Sequence, residues 1–69
     1  MKVPDCVADG IARYRREGKS GIGWVFMHLS GADRDAVDAW LVETGHPLAM
    51  QPGTQEHRFG AIVEELATC

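Results

Sequence analysis

Glycine and proline leave this chain no long uninterrupted element. Gly18, Gly31 and the Gly45-His46-Pro47 run cut its 69 residues into four short segments. Glycine favours the conformations that end helices and proline cannot continue one, so each segment must form a short element of its own. A chain of this size supports one domain around one core. Its apolar content of 45% and charged content of 25% suit a folded globular protein rather than a disordered one. A domain so small often needs extra buried surface, so a homodimer or a protein partner is expected to complete it.

The first segment, "VPDCVADGIARYRREG", places Val3, Val7, Ile11 and Tyr14 at helical spacing. Pro4-Asp5 suits a helix start, and Gly18 a helix stop. Asp9, Arg13 and Glu17 follow at i, i+4 on the wet face. Gly10 costs about 1 kcal/mol in a helix interior. The second segment, "KSGIGWVFMHL", has two readings. As a helix, Ile22, Val25, Phe26 and Leu29 make the stripe; as a strand, Ile22, Trp24, Phe26 and His28 share a face. The helix is preferred, although Gly21 and Gly23 count against it. The third, "ADRDAVDAWLVETGHP", is the clearest helix. Asp33 caps or opens it; Val37, Trp40, Leu41 and Thr44 face inward; Gly45 and Pro47 stop it. In the fourth, Pro52-Gly53 signals a turn, and a hairpin pairing "PLAMQ" with "HRFGAIV" is favoured. The rival is a helix from Thr54 with the stripe Phe59, Ile62, Val63 and Leu66.

The order helix, helix, turn, helix, hairpin resembles a winged helix–turn–helix. In sequence the resemblance rests on "FMHLSGADRDAVDAWL". Gly31 stands at the turn, Val37 six residues on anchors the next helix, and Trp40 takes a position where an apolar residue is common. Met27 stands where the motif has a small residue, and Ser30 where it has an apolar one. The expected fold is therefore α+β, a small winged-helix-like domain of three helices and a β-hairpin. A β-α-β-β arrangement and an all-α four-helix domain are the alternatives.

Charge speaks against the usual use of that fold. The formal net charge is −3, whereas nucleic-acid binders draw affinity from cations on phosphates. With Val37 inward, the third helix points Asp35, Asp38, Ala39, Val42 and Glu43 outward, none of them cationic. Such a face suits solubility or a partner protein with a basic surface. Positive charge gathers instead in "RYRREGK", at Arg13, Arg15, Arg16 and Lys19, where a helix C-terminus also favours it. If the second segment is a helix, Trp24 and Met27 lie opposite its buried stripe, as an interface anchor would. If it is a strand, Trp24 belongs to the core.

Chemistry finds little purchase. His28, His46 and His57 match no zinc-site spacing, and "ADRDAVD" lacks the central Gly of a calcium loop. "KSGIG" has neither the order nor the spacing of a P-loop, and no hydrolase or protease motif is present. Neither an enzyme nor a cofactor is expected. Cys6 and Cys69 suit free thiols, with a bridge between them as the alternative. "MKVPDCVADG" lacks the apolar core of a secretion signal, the longest apolar run is "WVFM", and the final Cys makes no prenylation box. A soluble cytoplasmic protein is expected.

The functional expectation is a small non-catalytic regulatory or inhibitory module that binds another protein through Trp24, Met27, Asp35, Asp38, Val42 and Glu43. One alternative is a DNA-binding transcriptional regulator using Arg13, Arg16, Lys19, Arg34 and, in the wing, Arg58. The other is a structural dimer subunit.

Overall fold

In the computed structural model, which describes residues 3–69, the first apolar stripe forms α1 (Asp5–Glu17). The Pro4 carbonyl accepts from the N–H groups of Val7 and Ala8, starting the helix without a side-chain cap. Val7 is fully buried; Val3, Ile11 and Tyr14 pack at the edge of the core. Gly18 alone separates α1 from α2 (Lys19–Met27). Its φ of 76° and ψ of −154° form a corner that a side chain would strain.

The second segment is a helix, and its strand reading falls. Ile22, Val25 and Phe26 are buried. Gly21, an apparent helix breaker, is where α2 closes on α1: a Cβ there would lie 2.9 Å from the Arg13 carbonyl oxygen. Its cost in helix propensity is offset by close packing.

α3 (Gly31–Glu43) begins at Ser30, whose hydroxyl accepts from the Asp33 N–H at 3.1 Å. Ser30 is thus the cap, and Asp33 lies in the first turn, where a negative charge suits the helix dipole. Val37 and Leu41 are buried and Trp40 is half-buried. Thr44, expected to face inward, is exposed and donates its hydroxyl to the Leu41 carbonyl. Gly45, at φ 69°, closes the helix: its N–H donates to Val42 O, and the His46 N–H donates to Leu41 O. This double closure is the Schellman motif, and Pro47 follows it.

The fourth segment corrects the expected fold class. Pro47–Met50 form a 3-10 turn that buries Leu48, and Gln55–Thr68 form α4. No strand is present among the described residues, so the β-hairpin and the α+β winged-helix architecture are absent. Two causes decide it. The Thr54 hydroxyl caps α4 by accepting from the His57 N–H at 3.1 Å. Also, a strand would send Phe59 and Val63 to one face and Ile62 to the other, whereas a helix puts them on one side, and all three are buried. The β-α-β-β alternative falls for the same reason. The all-α four-helix alternative fits.

α4 is the shared wall of the fold, packing against α1, α2, α3 and the 3-10 turn. At Gly10 the backbone of α1 approaches so closely that a Cβ would lie 2.9 Å from Val63 Cγ2 and 3.1 Å from Phe59 Cζ. Phe59 also meets Phe26, with tilted rings 5.7 Å apart at their centroids. α3 packs on the 3-10 turn and α4. Cys6 and Cys69 are free thiols, and burial pushes the Cys6 thiol up from its ordinary pKa. No helix among the described residues is long and apolar enough to cross a membrane.

Candidate functional site

The corner at Gly18 turns α2 back against α1, and Gly21 lets the two backbones meet at Arg13. One turn beyond Gly21, Trp24 leaves α2 opposite the Arg13 side chain. The guanidinium carbon lies 5.7 Å from the centre of the Trp24 ring, within reach of a cation–π contact. On its other side Trp24 meets His28, one helical turn on, with ring centroids 4.4 Å apart. Between these helices runs an open groove of about 440 Å³, walled by Asp9, Arg13 and Arg16 from α1 and by Trp24, His28 and Leu29 at the end of α2. Trp24 is 51% exposed, although it is wedged between Arg13 and His28.

The groove's charge differs from that of the chain. Arg13 makes a surface pair with Glu17 at 3.2 Å, and Lys19 sits 3.8 Å from Glu64. Arg16 is exposed and enters no ion pair among the described residues. Among the described residues Asp9 is the one carboxylate on the groove wall.

The other expected site residues scatter. Met27 is 70% exposed but lies outside the groove walls. Val42 and Glu43 are exposed on α3. Asp35 accepts from the Gln55 side chain at 2.8 Å. Asp38 is held by Arg58 in a two-point clasp, Nε to Oδ1 at 2.9 Å and Nη2 to Oδ2 at 3.0 Å. Those hydrogen bonds hold the Asp38 carboxyl below its ordinary pKa, against an opposing push from burial. Arg58 also donates to the Gly53 carbonyl, tying the loop before α4 to its first turn. With the wing absent, Arg58 sits in α4 as a structural cation. Arg34 is likewise turned inward. It donates to the Phe26 carbonyl at 3.0 Å, closing the end of α2, and its guanidinium lies 4.1 Å from the Phe26 ring centre.

The groove thus joins residues that the sequence assigns to rival functions: Trp24 to protein binding, Arg13 and Arg16 to nucleic acid. His28 and Asp9 belong to it too. The signal for His28 is its i, i+4 spacing from Trp24; Asp9 carries none, because its place depends on how α2 folds back. His46 is structural: Nδ1 accepts from the Leu48 N–H at 3.0 Å and Nε2 lies 2.7 Å from Glu65. No group of three or more His, Cys, Asp or Glu side chains is placed to hold a metal among the described residues. No family model matches the chain, and neither a curated protein nor a solved structure does.

Proposed function

We propose that this chain is a small non-catalytic regulatory module that binds another protein in the α1–α2 groove. The observation that carries this reading is Trp24, half exposed and held in place by Arg13 and His28. Tryptophan and arginine are the side chains that most often dominate binding energy, and a fixed aromatic anchor loses little freedom on docking. Met27 extends the apolar surface beside the groove. The α3 face offers less, since Asp35 and Asp38 are engaged with Gln55 and Arg58. A DNA reading has lost two of its cations, because Arg34 and Arg58 bond within the fold.

A photo-reactive phenylalanine placed at position 24, and separately at position 42, tests this in cells. Position 24 is expected to cross-link to a discrete partner protein, and position 42 to do so weakly. Equal yields from both positions would remove the groove from the interaction. An adduct with the mass of two copies of this chain would replace the regulatory reading with a dimer subunit.

A further inference from the structure

We infer that the groove selects an acidic peptide segment, in which carboxylates lie next to one apolar side chain. This deepens the proposed function and rests on it. The argument is charge complementarity within a small patch. Four of the chain's seven Lys and Arg residues fall between positions 13 and 19, and two more, Arg34 and Arg58, are turned into the fold. Cations able to meet a ligand are therefore concentrated on the end of α1 and the start of α2. Arg16 enters no ion pair among the described residues. Among the described residues Glu17 is the one carboxylate paired with Arg13, an exposed i, i+4 contact that a second carboxylate can replace at little cost.

The apolar half of the ligand has its own place. Trp24, Val25 and Leu29 line the groove beside those arginines. A leucine or phenylalanine laid against the exposed part of Trp24 puts the neighbouring carboxylates of its own chain within reach of Arg13 and Arg16. Asp9 gives the site a direction, because it repels carboxylates at its own end of the wall. The peptide's acids belong at the Arg16 end.

A nucleic acid fits less well. Its phosphates continue past any two-arginine site, and here they would run into Asp9, Glu17 and the field of a chain with net charge −3. A short acidic peptide needs only the local pair of cations. In a second copy of this chain Glu17, Asp35, Asp38, Glu64 and Glu65 are already engaged within the fold, and the remaining carboxylates are spread over α1, α3 and α4.

The test is a titration of the full chain, followed by amide and indole proton shifts. The probes are the blocked peptide Asp-Glu-Leu-Phe-Gly-Ser, its counterpart Lys-Lys-Leu-Phe-Gly-Ser, and an oligothymidylate of similar length. The acidic peptide is expected to move the Trp24 indole signal and the amides around Arg13, Arg16 and His28, while Trp40 stays still. Binding is expected to weaken with salt and to fall about tenfold or more in Arg13→Glu/Arg16→Glu. Arg16→Gln, a conservative change on an exposed helix face, is expected to weaken it without altering helical ellipticity. The inference is overturned if the Trp24 signal does not move, if the lysine peptide binds equally well, or if the oligothymidylate binds more tightly. If position 24 cross-links a partner while the acidic peptide fails to bind, docking stands and its proposed chemistry falls.

Discussion

Gly10 and Gly23 are both helical glycines, and their surroundings give them opposite consequences. At Gly10 a Cβ meets Val63 and Phe59, whose buried side chains have little room to yield. At Gly23 a Cβ meets nothing within 4 Å. Replacing glycine by alanine gains about 1 kcal/mol of helix propensity, while overpacking a core costs about 1–3 kcal/mol. Gly23→Ala is therefore expected to raise the urea midpoint, and Gly10→Ala to lower it by the equivalent of up to about 2 kcal/mol. Equal stabilisation by both would mean that α1 and α4 are further apart than described. Asp38 makes a separate prediction about acid. Its native pKa is depressed, chiefly by hydrogen bonds from Arg58. The stability this contributes is fully present above the unfolded value of 3.8 and is lost as pH falls through the lower native value. Urea midpoints of Asp38→Asn are thus expected to change less than those of the parent between about pH 5 and about pH 2. Parallel curves would show that the clasp with Arg58 does not form in solution.

Helix starts decide this fold as much as apolar stripes do. Thr54→Ala removes the side chain that accepts from the His57 N–H, and such caps are worth about 0.5–2 kcal/mol. A lower thermal midpoint, with Thr54→Ser close to the parent, is the expected result. The same cap explains where sequence and structure part. In α1 and α3 the stripes and the bounding glycines agree, so these helices could be read directly; α2 kept a strand alternative, because Gly21 and Gly23 inside it count against a helix. After Pro52-Gly53 a hairpin turn and a helix entry look alike, and the choice falls to Thr54 and to where Phe59, Ile62 and Val63 must lie together. The 3-10 turn was hidden because "PLAM" has too few residues to show a period; its buried Leu48 emerges only when α3 and α4 are in place. The site was legible in part. The exposure of Trp24 follows from the α2 stripe, but its meeting with Arg13 depends on the corner at Gly18. The Asp38–Arg58 clasp joins residues 20 apart on two helices, a relation no local pattern contains.

Every element of the fold leans on α4, so damage there is not contained. Phe59 is 1% exposed and stands against both Gly10 and Phe26. Truncating a buried phenylalanine costs about 3–5 kcal/mol, and a domain of this size has a net stability of about the same amount. Phe59→Ala is expected to lose amide dispersion and near-ultraviolet dichroism altogether, rather than to melt a few degrees lower. A well-dispersed spectrum would mean that the other helices can hold together without it. The corner at Gly18 has a further consequence, which concerns time. With one residue between α1 and α2 and the Gly21 backbone set against Arg13, the two walls of the groove cannot swing apart while the domain is folded. A partner at the proposed site would meet a finished surface. Its arrival rate would then be governed by encounter and orientation, with no opening step to wait for, and ligands that fit well or poorly would differ mainly in how long they stay.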